Sequence, residues 1–456
     1  MRLRSLKLGI GCLALLVLLP PALWVYWDIT SGRQLQADLE ALRAQGMPVT
    51  SAELAHKPVP DAQNAAVLYQ QVFQLSFTPG PGFGIGRLIG GLSSADHQML
   101  FGYFKEGNRQ LTPAIREVLQ QASVQNDLET LRRAAERPYC VFPIDWAAGF
   151  SGLYPHFMSL RDAAMVLAVQ THLCAEEGDI AGALSWSKVS LRMSRHIGSE
   201  PTLIAQLVAL TLDAIALKSV RQNILPRRVP PAAAADFERY LRGVDMNESL
   251  EQAVIGERAM ALDLFGMAFS QGPRELFSSG GLLGQPWDAL YFNRLCRPLP
   301  NLDEMICLDT MAKQIALADL PYRTAGPKLT ALKTDLESRP PWQGIVTRFL
   351  TSPMGIAWRK RDRTMAEIGL CRIALLLKNY QYTRGAYPSN LRQLQVTVDC
   401  ALPEDPFTGK AFVYQRVGHG FRLYSFGPDM DDDGGLSTEQ LGRGYEDGDL
   451  VWECDK

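Results

Sequence analysis

Four aspartates fall within five residues near the carboxyl end of the chain, in the stretch FGPDMDDDGG (426–435). Asp429, Asp431 and Asp433 alternate there and Gly434 follows, as oxygen ligands and a glycine do in the first half of a calcium-binding loop. Carboxylates about 4 Å apart repel by about 1 kcal/mol per pair in water, and by more when water is partly excluded. A divalent cation reverses the sign of that energy. The pattern therefore predicts a structural calcium site, and a solvated acidic loop is the alternative.

The rest of the acidic stretch departs from the standard calcium loop. Position 12, counted from Asp429, is Gln440 instead of a bidentate glutamate, and Glu439 stands one place early. A β-rich run precedes the aspartates, where an EF-hand has a helix. The sequence therefore predicts a calcium site that is not an EF-hand. A catalytic metal is disfavoured, because we find no phosphate-binding loop and no clustered basic partner.

No motif for other catalytic chemistry stands out. The chain has no HExxH pair and no Gly-x-Ser-x-Gly nucleophile elbow. Its six histidines are scattered, and we expect them to be surface or core residues: His56, His97, His156, His172, His196 and His419. The sequence therefore assigns no catalytic residue.

The cysteines have no spacing typical of a zinc site, and two pairs are candidate disulfides. Cys296 and Cys307 flank the proline-rich stretch RPLPN. Cys400 and Cys454 lie near the two ends of the last module, and a bond between them would be worth about 4 kcal/mol of chain entropy. Buried free thiols are the alternative for each pair.

Composition indicates a globular protein of more than one domain. The chain has 456 residues, 47% of them hydrophobic, and a net charge of -2. Residues 426–456 hold ten acids and two bases, so the rest of the chain is mildly positive. An acidic end without a basic stripe is typical of a cation site and gives no reason to expect nucleic-acid binding.

The first 27 residues predict a membrane anchor. Leu8 to Tyr26 is apolar and would span about 28 Å as a helix, which is close to the thickness of a bilayer core. Arg2, Arg4 and Lys7 precede it and favour a cytoplasmic amino terminus, so most of the chain should lie outside the cytoplasm. A cleaved signal peptide is the alternative, although the sequence offers a poor cleavage site.

Residues 28–350 read as helical. A stalk helix and linker (28–58) places Leu35, Leu39 and Leu42 on one face, and an α-helical extracytoplasmic body follows (59–350). Three helices are expected between residues 160 and 225, and the turn EEGDIAGAL (176–184) resembles the junction of a tetratricopeptide unit. The third of these helices is apolar on nearly all sides, and we expect it in the core.

Three more helices and three strands complete the expected fold, which is mainly α with a small antiparallel sheet. Asn247 and Asn301 are predicted N-caps of helices over 247–269 and 301–320, and Gly385 is the predicted end of a helix from about 356. The predicted strands are 411–417, 420–427 and 449–454, the first two joined as a hairpin.

The carboxyl-terminal module resembles the major pseudopilins of type II secretion. Residues 361–456 carry the likeness: a helix followed in order by GAYPSNLRQL, ALPEDPFTGKAFVYQ, GFRLYSFGPDMDDDGG and GDLVW. The resemblance implies a pseudopilin-like α+β module (351–456) whose calcium loop is completed by backbone carbonyls and by Glu439, Asp447 or Asp449. The chain lacks the prepilin peptidase signature, and more than 300 residues precede the module. A role in building a pilus is therefore not implied.

These observations favour a membrane-anchored binding or assembly protein over an enzyme. We expect a single-pass protein of a bacterial inner membrane, with most of the chain periplasmic, a protein partner and structural calcium. A membrane-anchored hydrolase with its site in the helical body, between about residues 140 and 330, is one alternative. A component of a secretion system is another.

Overall fold

The chain is described here from a computed structural model, which covers residues 2–73, 111–152, 154–271, 291, 293, 296–351, 354–442 and 447–454. Within these ranges, side chains are described for all but residues 2–16, 151 and 268–271.

The described part is mainly α-helical with one small sheet. The helices are α1 (Arg2–Ala44), α2 (Ala65–Phe73), α3 (Pro113–Gln120), α4 (Ala122–Ala135), α5 (His156–Glu176), α6 (Ile180–Ile197), α7 (Leu203–Ser219), α8 (Pro231–Arg242), α9 (Asn247–Gln271), α10 (Pro298–Ile315), α11 (Tyr322–Ser338), α12 (Ile345–Thr351), α13 (Gly355–Arg384), α14 (Leu391–Gln395) and α15 (Thr438–Leu441). The strands are β1 (Val413–Val417), β2 (Gly420–Ser425) and β3 (Leu450–Cys454), antiparallel in the order β1-β2-β3. This confirms the expected helical fold with a small antiparallel sheet.

Helix α1 joins the predicted anchor and the predicted stalk in one continuous helix. Leu35 is buried in a small apolar cluster with Leu262 of α9 and Leu308 of α10, and Leu39 and Leu42 pack against the same cluster. The leucine face predicted from the sequence therefore packs on the body. Gly46 follows with a φ of 73°, a left-handed conformation that suits glycine at the end of a helix.

The three helices predicted between residues 160 and 225 form the centre of the body. Helices α5, α6 and α7 pack on one another, with Gly178 (φ 85°) in the turn between the first two. Asp179 caps α6, because its carboxylate accepts a hydrogen bond from the Gly182 N–H at 2.9 Å. The predicted hairpin junction is therefore present in the structure.

One described helix, Leu203–Ile224, is long and apolar enough to cross a membrane, and 61% of its apolar window is buried. It packs against α5, α6, α9 and α13. This is the environment of a core helix, as the sequence predicted. Many of the predicted anchor's side chains lie among residues 2–16, outside the side chains described.

Helix α10 begins earlier than the sequence predicted. The predicted N-cap, Asn301, lies inside the helix, which starts at Pro298. Proline is favoured at the first helical position, where no N–H donor is needed, and this explains the earlier start. The Asn301 side chain is buried and donates from Nδ2 to Ser31 Oγ of α1 at 3.2 Å. The other predicted N-cap, Asn247, is the first residue of α9, and Asp245 accepts its N–H at 2.9 Å.

Helix α13 connects the body with the sheet. Its Gly355–Arg384 span and the left-handed Gly385 (φ 80°) agree with the prediction. It packs against α7, α8 and α11 on the body side and against β2 and β3 on the other. The strands are slightly shorter than predicted, and the hairpin register pairs Val417 with Gly420.

Neither predicted disulfide is formed, because the described cysteines are free thiols. Cys307 lies more than two turns into α10, about 13 Å along the helix from its first residue, whereas a disulfide needs Cα atoms within about 7 Å. Cys296 lies just before that helix and therefore cannot reach it. Cys454 is buried against Lys378 Nζ (3.8 Å) and Tyr387 Oη (3.7 Å), while Cys400 lies in the loop after α14. The alternative of free thiols is the one observed.

Candidate metal centre

The aspartate loop begins where β2 ends, and a buried carboxylate fixes that end. Asp405 is 2% exposed and accepts hydrogen bonds from Ser425 Oγ (2.9 Å) and from the Phe426 and Phe407 N–H groups (3.3 and 3.0 Å). Burial raises the pKa of Asp405, although these donors favour its charged form. Sequence reasoning did not single out Asp405. Its position in the turn sequence DPFTG was the available signal.

The backbone turns sharply after β2. Gly427 has a φ of 76°, and a Cβ there would lie 2.7 Å from the Gly448 carbonyl oxygen, so only glycine fits this close approach. Met430 has a φ of 65°, which is uncommon for a residue with a side chain. Its N–H donates to the Gly427 carbonyl at 3.2 Å. The turn therefore places residues on either side of Met430 close together.

The structure brings together the three aspartates that alternate in the sequence. Carboxylate oxygens of Asp429, Asp431 and Asp433 all lie within 4.8 Å of one another. Asp429 and Asp431 are exposed and Asp433 is half-buried. Oxygens at such separations can reach one cation of calcium's size, whose oxygen ligands lie at 2.3–2.6 Å. Burial, with the charges of Asp431 and Asp433 nearby, raises the pKa of Asp429.

Asp449 comes directly before β3 and is a buried acid close enough to Asp432 and Asp433 for their charges to act on it. Its side chain is 2% exposed, and its Oδ2 accepts the Gly435 N–H at 2.7 Å. Its Oδ1 is buried and has no hydrogen-bond partner among the described residues. Burial, together with the charges of Asp432 and Asp433, raises the pKa of Asp449 to about 6. A buried carboxylate oxygen without a donor is costly, and a cation is the partner that would relieve the cost.

The loop is tied to the strand that follows it. Asp429 Oδ2 accepts the Gly448 N–H at 2.7 Å, and the Asp449 N–H donates to the Leu436 carbonyl at 2.9 Å. The fourth aspartate of the stretch, Asp432, serves the turn itself, since its Oδ1 accepts the Gly434 N–H (2.9 Å) and the Tyr424 hydroxyl (3.2 Å). Asp432 was not among the predicted ligands, and these contacts agree with that.

Among the described residues the close group contains three of the six predicted ligands, and Asp449, Glu439 and Asp447 are not part of it. Glu439 is exposed on the short helix α15, and Asp447 contributes its backbone carbonyl, which accepts the Thr438 hydroxyl at 2.6 Å. Gln440 is used in a capping box, where its side-chain oxygen accepts the Ser437 N–H at 2.8 Å.

A cleft of about 710 Å³ lies between the body and the sheet. Asp449 and Glu439 line it on the sheet side, and Arg221 and Arg363 line it on the helical side. Arg221 donates from Nη1 to the Val451 carbonyl at 3.0 Å and so joins β3 to the body. Asp449 therefore lies at the junction between module and body.

The described part of the helical body includes two close histidine and glutamate pairs of the kind a hydrolase would need. In one, His172 Nε2 lies 3.1 Å from Glu176 Oε1, and the Glu176 side chain is 19% exposed. The other pair is sealed from solvent. His156 Nε2 lies 2.9 Å from Glu200 Oε1, and these side chains are 0% and 2% exposed. Another histidine, His196, is bonded at both ring nitrogens, to Tyr69 Oη (2.9 Å) and to the Arg137 carbonyl (2.8 Å). These contacts are typical of satisfied core histidines, as the sequence predicted.

Comparison of the chain with protein-family models, with curated proteins and with solved structures finds no match. The resemblance of residues 361–456 to major pseudopilins thus stays a prediction from the motifs.

Proposed function

We propose that this chain is a membrane-anchored binding or assembly protein of a bacterial inner membrane, with a calcium ion stabilising its carboxyl-terminal module. The observation that carries the proposal is the convergence of Asp429, Asp431 and Asp433. The buried Asp449 at the end of the same loop, whose Oδ1 has no hydrogen-bond partner among the described residues, supports it. This is a set of hard oxygen donors with more negative charge than the loop can neutralise by itself.

The ion's role in this proposal is structural. The donors come from the loop after β2 and from the start of β3, so a shared cation would hold these two segments together. The same strand, β3, contacts the body through Arg221 at the Val451 carbonyl, and Trp452 Nε1 donates to Glu367 of α13 at 2.5 Å. Calcium would therefore stabilise both the sheet and its docking on the body.

The anchor part of the proposal rests on α1. Among its described side chains, Val17, Leu18, Leu23, Val25 and Tyr26 are 56–67% exposed, whereas Ser31 and Leu35 are 5% and 6% exposed against the body. The apolar part of α1 is thus not covered by the rest of the protein, whereas the part that follows it is. This is typical of a helix whose apolar part spans a membrane. The binding or assembly role, with an unidentified protein partner, rests on this anchor and on the metal loop, and a hydrolase with its site in the helical body is the alternative.

Thermal unfolding of the full chain in detergent, with calcium and with a chelator, tests the calcium proposal. We expect chelation to lower the melting temperature of the wild type, because a site with a dissociation constant of about 0.1 mM adds about 1 to 2 kcal/mol at millimolar calcium. Asp431→Ala should show no such response. The matched control is Asp309→Ala, at an exposed acid of α10, which should keep the wild-type response. Equal melting curves for the wild type in calcium and in chelator would contradict the proposal.

A further inference from the structure

A cavity of about 470 Å³ lies in the body between the segment after α4 and the carboxyl-terminal half of α6. Residues 135–141 line one side, Arg192 and Arg195 of α6 line the other, and Tyr240 of α8 also borders it. Its volume falls within the range of about 300 to 1,000 Å³ that is usual for sites of small organic molecules. None of the described residues of the aspartate loop lines this cavity.

The lining of the cavity carries an excess of positive charge. Arg137, Arg192 and Arg195 all border it, and Glu136 is the one acid among the described residues that do. A cavity lined mainly by one sign of charge attracts ligands of the opposite sign. The ligand expected here is therefore an anion.

Arg137 is held in place by neutral groups. Its Nη1 donates to the carbonyls of Asp61 (2.9 Å) and Asn64 (2.7 Å), and its own carbonyl accepts a hydrogen bond from His196 Nε2 at 2.8 Å. Burial lowers the pKa of His196, so this ring is neutral and its Nδ1 accepts the Tyr69 hydroxyl at 2.9 Å. The positive charge of Arg137 is thus positioned without being cancelled by an acid in the described part of the chain.

Arg192 likewise has no acid of its own. It lies over the ring of Tyr240, 5.9 Å from the centroid, and makes no hydrogen bond or ion pair with any described residue. A hydrogen bond from Lys188 (2.5 Å) lowers the pKa of Asp236, and the charge of Arg192 adds to this effect, but Asp236 is already paired with that lysine. The charge of Arg192 also acts on His196, which holds the Arg137 carbonyl, so the two arginines approach the same part of the cavity.

Arg195 is fixed by a buried acid. Its Nη2 donates to Asp213 and to Ser194 Oγ (2.7 Å), and the Asp213 side chain is 1% exposed. The charges of Arg195 and Asp213 offset each other. The excess charge of the cavity therefore comes from Arg137 and Arg192.

We propose that this cavity binds a small organic oxyanion, whose phosphate or carboxylate group is held by Arg137 and Arg192. Guanidinium groups form paired, charge-assisted hydrogen bonds with both kinds of group. Tyr139, which is 50% exposed and lines the same cavity, provides an aromatic face for the rest of the ligand. The site uses no residue of the aspartate loop or of the predicted anchor, so it stands independently of both.

Titration calorimetry of the full chain in detergent with sodium phosphate and with sodium succinate tests this proposal. Ionic strength is kept constant with sodium chloride. We expect saturable binding of at least one of the two anions, with a dissociation constant of about 1 mM or lower. Binding of phosphate alone assigns a phosphate group to the ligand, binding of succinate alone assigns a carboxylate, and binding of both supports an oxyanion site open to either.

Two matched variants show whether the binding takes place in this cavity. Arg192→Gln should bind at least about tenfold more weakly and should unfold like the wild type, because Arg192 makes no hydrogen bond that the fold would lose. Arg239→Gln removes the same charge from a 68% exposed residue of α8 that does not line the cavity, and it should bind as the wild type does. Absence of saturable binding of both anions up to about 20 mM, or equal binding by the wild type and Arg192→Gln, overturns the proposal.

Discussion

At the scale of single residues, the proposed calcium site depends on carboxylates that the fold holds where a negative charge is unfavourable. Asp449 is the clearest case, since it is buried, has one oxygen without a donor and lies near the charges of Asp432 and Asp433. A side chain of this kind lowers stability unless something positive is bound beside it.

Asp449→Asn should therefore change stability in opposite directions with and without the metal. Asparagine keeps the shape and can still accept the Gly435 N–H, but it removes the negative charge. In chelator we expect the variant to be as stable as the wild type or more stable. In millimolar calcium we expect it to lack the gain of about 1 to 2 kcal/mol that the wild type shows. Denaturant unfolding in the two conditions measures this. A loss of stability that is equal in both conditions would indicate a purely structural role.

Glu304 of α10 is a second buried acid, and its titration should make the stability of the fold depend on pH. Burial, with the nearby charge of Asp303, raises the pKa of Glu304 to about 8, against about 4.3 in unfolded chains. The folded state therefore holds this proton more tightly. The stability from neutral Glu304 is fully present below about pH 4 and is lost as the pH rises through about 8.

Glu304→Gln should remove that pH dependence, because glutamine stays neutral. Denaturant unfolding between pH 5 and pH 8.5 should show similar stability for variant and wild type at the acidic end. At the alkaline end the variant should be more stable by roughly 2 to 5 kcal/mol. Asp309→Asn, at an exposed acid of the same helix, is the matched control and should keep the wild-type slope. Parallel stability curves for wild type and Glu304→Gln would rule out this explanation.

At the scale of elements, close packing of α9 against the start of α7 organises the body. The Leu203 N–H donates to Glu257 Oε1 at 2.9 Å, and Thr202 caps the same helix end through the Ala205 N–H at 3.1 Å. Burial raises the pKa of Glu257. A Cβ on Gly256 would lie 1.7 Å from the Pro201 carbonyl oxygen, so the two elements meet backbone to backbone.

Two glycines of α9 should respond in opposite ways to replacement by alanine. Gly256→Ala forces the Pro201 backbone away and should cost about 3 kcal/mol of unfolding free energy. Gly266→Ala introduces a Cβ with no atom of the described residues within 4 Å and should be neutral or stabilising by up to about 1 kcal/mol, because alanine favours the helix. Chemical denaturation of both variants measures the difference. A neutral Gly256→Ala would mean that the contact is looser than the structure shows.

Local patterns predicted the elements well where one residue type decides the outcome. The helices around residues 160–225 follow from their apolar spacing, and the end of α13 follows from Gly385. The wrong N-cap at Asn301 and the absent disulfides show where this fails. Asn301 is held by a contact with Ser31 that is 270 residues away in the chain. Such long-range contacts depend on the tertiary fold, which no local pattern contains.

In the candidate site, too, the sequence predicted what local patterns decide and did not predict what long-range contacts decide. The alternation of Asp429, Asp431 and Asp433 in the sequence was sufficient to predict that they converge. The burial of Asp449 depends on the pairing of β3 with β2 and on the close approach of Gly427 to Gly448, and only the resemblance to pseudopilins pointed to it. Asp405, which braces the start of the loop from the buried side, was not predicted at all.

At the scale of the whole molecule, the proposed arrangement is an anchor, a helical body docked on the continuation of the same helix, and a calcium-stabilised module joined to that body by α13. Alkaline phosphatase fused after Lys456 tests the orientation, because this reporter is active only outside the cytoplasm. We expect high activity. Replacing Arg2, Arg4 and Lys7 with glutamate should reduce it, since these bases favour a cytoplasmic amino terminus. An inactive fusion made at normal level would contradict the orientation.

Calorimetric titration of the chelator-treated full chain with calcium chloride tests the central claim most directly. We expect one ion per chain with a dissociation constant of about 0.1 mM, or lower, and binding at least about tenfold weaker in Asp431→Asn. No binding at millimolar calcium, or the same affinity in the wild type and in Asp431→Asn, would contradict it.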